Sequence, residues 1–198
     1  MRTIKKLNKL RGLLKRPLFR SSEAKKLGIS SGLLSYYTQK GLIERVDRGV
    51  YRGKESVLNV DFKWEDLVLA AKSIPDGVVC LISALALYEL TEEIPRAHWI
   101  AVANTTRAPK RKGVKIVRMR NIHLGQTEAK VGNEKIKIFN QERTIVDVFR
   151  YLGKETAIKV LRAALTKKAE EKIDLKRLQD YAKKLRVRID TYILAVTT

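Results

Sequence analysis

Ser31, Ser35, Tyr36 and Gln39 are uncharged hydrogen-bonding side chains whose spacing lines them along one face of a helix. Such a face can exchange hydrogen bonds with base edges in a DNA major groove. It carries no acid to repel phosphate. Cations bracket it: Arg20, Lys25 and Lys26 before, Arg45, Arg48 and Arg52 after. With the Tyr51 hydroxyl, these form a candidate phosphate-contacting set. Catalytic chemistry has weaker support. His98 and His123 stand apart from any metal-ligand spacing, and no Gly-rich phosphate loop or Gly-x-Ser-x-Gly elbow is present. The expectation is a non-enzyme with no cofactor and no metal.

The stretch from Arg20 to Arg52 must position that face, and it reads as a helix-turn-helix followed by a two-stranded wing. Ser22 can cap a short helix over Glu23 to Leu27, and Gly28 permits the left-handed backbone that ends it. Ser30 or Ser31 caps a second helix to about Lys40, stopped by Gly41. Ala24, Gly28 and Leu34 occupy the crossing, with Leu27, Ile29, Leu33 and Tyr37 as further inward bulk. The β-rich pieces around Asp47, Arg48 and Gly49 read as a hairpin. The bland alternative is an ordinary helical hairpin with a solvated basic face.

Charge points the same way. The chain of 198 residues has a net charge of +21, which favours a polyanionic partner, nucleic acid first and anionic membrane second. Residues 1–60 carry fifteen Lys or Arg against four Asp or Glu, roughly twice the net positive charge per residue of the remainder. Residues 3–16 place Ile4, Leu7, Leu10, Leu13 and Leu14 at helical spacing among cations, fitting the first helix of a winged domain or a membrane-surface helix. The single cysteine, Cys80, excludes an internal disulfide and sits in an apolar run. No apolar run approaches bilayer length and no signal peptide is evident, so a cytoplasmic protein without membrane partners is expected.

The rest of the chain reads as an α+β domain over residues 61–198, after a winged helix-turn-helix over 1–53. Asp61 caps a helix to about Ser73, Pro75-Asp76-Gly77 marks a turn, and Ser83 can cap the helix ALALYEL. HWIAVA, VKIVRMR, TEAKV and KIKIF are strand-like and predict a small, mainly antiparallel sheet. Between the first two lies a basic loop, Asn104 to Gly113, either a nucleic-acid contact or a solvated hairpin loop. Asn140 and Asp174 can cap two further helices, Glu155 to Ala169 repeats the helical pattern between them, and a short last helix follows.

The order of these pieces resembles the AbiEi-type antitoxins, predicted transcriptional regulators of type IV toxin–antitoxin systems. LGISSGLLSYYTQKGLIERVDRGVYR is similar to the family's helix-turn-helix and wing, ending in Arg48-Gly49-Val50-Tyr51. ISALALYEL, from Ile82 to Leu90, is similar to its Ser-Ala-Leu helix, and ERTIVDVFR, from Glu142 to Arg150, to its Arg-Thr-hydrophobic-hydrophobic-Asp helix. The resemblance implies an N-terminal domain that binds inverted repeats in its own promoter and represses it. It also implies a C-terminal domain that counters a nucleotidyltransferase-type toxin without requiring a stable complex.

Arg143, Thr144 and Asp147 read either as a polar cluster anchoring a helix or, with Arg107 and Arg111, as an antitoxicity surface. Two rival readings stand beside the antitoxin: an RNA- or ribosome-associated basic protein, and a metal-dependent nuclease using Asp147 or the Glu170-Glu171-Lys172 stretch.

Overall fold

The structure, a computed structural model, describes residues 7–54, 56, 58–168 and 172–197. Its described residues divide into two compact units, one through Ser73 together with Val131–Glu134, the other Ile74–Lys130 and Lys135 onward. The helix that Asp61 opens therefore falls with the N-terminal unit. The fold is mixed α+β, with an antiparallel three-stranded sheet in the N-terminal unit and helices at the C-terminal end.

The N-terminal unit opens with α1 (Arg11–Leu14), followed by Pro17, which lacks the N–H that would continue a helix. A two-residue strand, β1 (Phe19–Arg20), leads directly into α2 (Ser21–Lys26). Its first turn is closed by the Arg20 backbone N–H donating to Glu23 Oε2 at 2.7 Å, so Ser22 lies inside the helix and is not its cap. Then come α3 (Ser31–Gln39), β2 (Ile43–Asp47), β3 (Val50–Gly53) and α4 (Phe62–Ser73). The sheet order is β1-β3-β2, all antiparallel. Leu10, Phe19, Ala24, Ile29, Leu34, Tyr37, Ile43 and Tyr51 form one buried core under it.

The second unit is built on a five-stranded sheet of order β6-β5-β4-β8-β7, from β4 (Val78–Val79), β5 (His98–Ala103), β6 (Val114–Met119), β7 (Gln126–Val131) and β8 (Glu134–Phe139). Its pairing is more mixed than the strand pattern suggests. β4 and β5 are antiparallel, but β5 runs parallel to β6 and β4 parallel to β8. Residues 104–113 are thus a crossover, not a hairpin turn. Ten extended residues reach ~33 Å, more than the ~20 Å needed to return along a six-residue strand.

Helix α5 (Leu81–Leu87) follows β4, and α6 (Gln141–Tyr151), α7 (Lys154–Thr166), α8 (Leu175–Leu185) and α9 (Asp190–Thr197) complete the unit. Asn140 and Asp174 cap α6 and α8, each accepting from a backbone N–H at 3.0 Å. Ser83 is not a cap: it is buried inside α5, and its Oγ accepts from Trp99 N at 2.8 Å. That bond ties α5 to β5. Cys80 is fully buried between β4 and α5, and loss of water around it pushes its thiol pKa well up.

Candidate nucleic-acid interface

Helix α3 is placed by a cap, a crossing and two glycines. The Ser30 Oγ accepts from Leu33 N at 3.3 Å, satisfying one of the first-turn N–H groups. Gly28 and Gly41 sit at φ +76° and +66°, left-handed backbone that costs a side-chain-bearing residue ~1 kcal/mol or more. Ala24 is fully buried where α2 meets α3, and Leu34 and Tyr37 are fully buried on the inner side of α3.

With that side fixed inward, helical periodicity turns Ser31, Gly32, Ser35, Tyr36 and Gln39 outward, and all five are exposed. No acid lies among them. Tyr36 is 41% exposed, its ring edge-on to Tyr37 at 5.9 Å, with Lys40 Nζ 6.0 Å from its centroid. Leu27 turns outward at 39% exposure, although its apolar character suggested an inward side chain. It lies at the turn, where α2 has already ended.

The β2–β3 hairpin pairs Glu44 with Arg52 and Arg45 with Tyr51, then slips register between Arg45 and Asp47. Gly49 takes the left-handed conformation (φ +72°) at the tip. The irregularity leaves Val46 exposed and accompanies exposed Arg45 and Arg48 near the tip. Arg52 donates from Nε to Glu44 Oε2 at 2.7 Å. An exposed pair of this kind is worth at most about 1 kcal/mol, so a phosphate can displace the glutamate. Lys25 and Lys26 are exposed in the last turn of α2.

Two members of the candidate phosphate set are placed differently. Tyr51 is 6% exposed and stacks on Phe19 with centroids 5.8 Å apart, so it supports the sheet from within the core. Strict alternation would put only one of Val50 and Tyr51 inside, but these two consecutive residues at the start of β3 are both buried. Arg20 is half-buried, and its Nη2 donates to the Lys72 carbonyl at 2.9 Å. Its guanidinium ties β1 to the end of α4 and does not face outward. Burial raises the pKa of the neighbouring Glu23, but the Arg20 N–H and Arg16 outweigh it and leave the carboxyl below its ordinary value.

In the second unit the structure separates the tentative antitoxicity residues. Arg107 is exposed on the crossover loop and Arg111 is half-buried there. Arg143, Thr144 and Asp147 are each 0% exposed, so they form no surface. The Arg143 Nε donates to Asp147 Oδ2 at 2.8 Å, and its Nη1 to the carbonyls of Asn121 and Leu124 at 3.0 and 2.8 Å. Thr144 Oγ1 donates to the Phe139 carbonyl at 3.3 Å. The guanidinium lies 4.5 Å from the Phe139 ring centroid. This is the helix-anchoring cluster. The pattern alone did not reveal two participants. Arg150, three residues beyond Asp147, donates to Asp147 Oδ1 at 2.7 Å. Glu142, 6% exposed, accepts from Asp174 N at 3.0 Å. The i,i+3 spacing to Arg150 was the available signal.

Among the described residues no group of three or more His, Cys, Asp and Glu side chains is arranged to hold a metal ion. Asp147 is engaged by two arginines, and Glu170 and Glu171 lie outside the described residues. Among the described residues no helix is long and apolar enough to cross a membrane.

These features define an N-terminal module of short helices and a three-stranded sheet that turns an acid-free helix face and a basic hairpin to the outside. Residues 9–52, nearly all of that module, match the sequence model of the family described as transcriptional regulator, AbiEi antitoxin. The similarity to that family thus lies within the N-terminal unit. No curated protein matches the chain.

Proposed function

We propose that this protein is a sequence-specific DNA-binding autorepressor and antitoxin of a type IV toxin–antitoxin operon. On this reading residues 9–52 act as a winged helix-turn-helix. Helix α3 enters the major groove, with Ser31, Ser35, Tyr36 and Gln39 at base edges. Lys25, Lys26, Arg45, Arg48 and Arg52 meet phosphates on either side. The observation that carries the reading is the exposed α3 face without an acid, set beside the exposed arginines of the β2–β3 hairpin. The family match supports the regulator and antitoxin setting.

One such module per chain fits two copies on an inverted repeat in the protein's own promoter. The resemblance adds a nucleotidyltransferase-type toxin as functional partner, with no stable complex needed. The protein itself is read as non-catalytic.

The test is promoter binding followed by gel shift over a salt series. Affinity for the upstream promoter duplex is expected to exceed that for a random duplex and to fall steeply with salt. Arg48→Ala with Arg52→Ala weakens both duplexes alike, whereas Gln39→Ala changes preference among promoter variants by about 1–3 kcal/mol per affected base pair. Equal affinity of the unmodified protein for promoter and random duplex defeats the specific-repressor reading.

A further inference from the structure

The second unit carries a charge asymmetry that promoter reading does not use. Between Glu93 and Glu128 the chain has eight Lys or Arg and no Asp or Glu. The fold gathers most of them at one edge of the five-stranded sheet, because β6 is an edge strand and the crossover loop 104–113 leads into it. Arg107, Lys110, Lys112, Lys115 and Arg120 are all exposed there. Arg118 braces the loop, donating from Nη1 to the Thr106 carbonyl at 2.6 Å.

This basic edge runs into a groove of about 650 Å³ within the same unit, whose lining includes Arg96, Trp99, Lys115 and Thr156. A volume of that size suits a small planar ligand. The backbone N–H of Trp99 is held by the Ser83 hydroxyl, and the half-buried residue stands beside Lys115 in the β5–β6 register. Lys115 Nζ rests 3.6 Å from the indole centroid. The groove thus offers an aromatic face, two cations, a hydroxyl at Thr156 and a carboxylate at Glu93. Aromatic faces beside a cationic track are the means by which single strands are bound, since every base has a π-face and every linkage a charge.

We propose that the second unit binds single-stranded nucleic acid. One unpaired base enters the groove and stacks on Trp99, Lys115 moves from the indole to a phosphate, and Arg107, Lys110 and Lys112 follow the backbone along the β6 edge. Glu93 accepts from an exocyclic amine of the inserted base. A duplex is excluded from the groove because its bases are already stacked and paired.

The experiment uses the full chain with Trp64→Phe, leaving Trp99 as the only indole of the two tryptophans. A twelve-nucleotide RNA, a DNA strand of the same sequence, and the corresponding duplex are titrated while Trp99 emission is recorded. Quenching by a single strand and not by duplex is expected. Whichever of RNA and DNA binds more tightly names the source. Arg107→Gln, Lys110→Gln and Lys112→Gln together weaken single-strand binding at least tenfold. They lower the slope of log affinity against log salt by about 2, since each neutralised phosphate of a single strand contributes about 0.7 to it. Lys115→Gln, a milder change, reduces binding without altering the melting temperature. Neither set changes promoter-duplex affinity, which separates this proposal from the repressor reading. Unchanged Trp99 emission at saturating strand, equal quenching by duplex, or wild-type strand affinity in both variants overturns it.

Discussion

Asp147→Ala exposes the cost of an unpaired charge in the second unit. Both oxygens of Asp147 are used, one by Arg143 Nε at 2.8 Å and the other by Arg150 Nη1 at 2.7 Å. Without the carboxylate, Arg143 keeps the carbonyls of Asn121 and Leu124 but loses its only buried counter-charge among the described residues, at 0% side-chain exposure. Removing one partner of a buried pair costs about 3–5 kcal/mol. The Arg150 side chain is 26% exposed and can turn to water, so its loss is cheap. Arg143 has no such exit. The expectation is therefore about 3 kcal/mol, which at about 2–4 °C per kcal/mol lowers the melting temperature by about 6–12 °C. Urea unfolding followed by circular dichroism measures it. Arg143→Met combined with Asp147→Leu recovers most of the loss, since an apolar pair of similar volume avoids burying ions at all. A stability change below about 1 kcal/mol for Asp147→Ala, or a double variant less stable than the single, refutes the reasoning. On the proposed function, promoter affinity measured below the melting transition is expected to be unchanged.

Three further outcomes are expected. Ser30→Ala removes the cap of α3 and costs about 1 kcal/mol in chemical denaturation, with weaker promoter binding as that helix frays. Gly53→Ala places a methyl against the Leu14 carbonyl, where backbone must yield, so the N-terminal unit loses at least about 1–3 kcal/mol and its promoter affinity falls. Burial pushes the Tyr88 hydroxyl up to about 12, helped by the negative charge of Glu142, and the hydroxyl donates to the Phe139 carbonyl at 2.9 Å. The neutral form is the one favoured by folding. Its stabilisation is whole below the ordinary tyrosine value of about 10 and is lost as pH rises toward 12. Ultraviolet titration against Tyr88→Phe detects the late-ionising group.

Much of this was readable from residue order because the signals are local. Ser30, Asn140 and Asp174 cap the helices they precede, since a short polar side chain before an apolar period has one favourable use. The outward face of α3 follows from Leu34 and Tyr37 facing in. Ser83 misled for the opposite reason: a serine before an apolar run looks like a cap, yet a strand sixteen residues later claims its oxygen. The Arg143–Asp147 pair is visible as i,i+4 spacing, but such pairs usually lie in water, and only the carbonyls of a distant turn make burial tolerable. Tyr51 offered a hydroxyl that reads as polar, while its ring was needed against Phe19. Strand direction was the least legible feature. Parallel pairing of β5 with β6 depends on where a ten-residue loop is carried, and no local pattern encodes that.

The short strand β1 has a mechanical consequence. Phe19 and Arg20 pair with Tyr51 and Val50, and Ser21 N donates to the Gly49 carbonyl at 2.9 Å, so α2, the first of the two crossed helices, is laced directly to the tip of the hairpin. The two prongs cannot splay apart independently. On the proposed reading, the protein grips DNA as a fixed-jaw calliper. Mismatch between jaw width and groove must be absorbed by bending the duplex, and stiff operator sequences are penalised even where no side chain reaches a base.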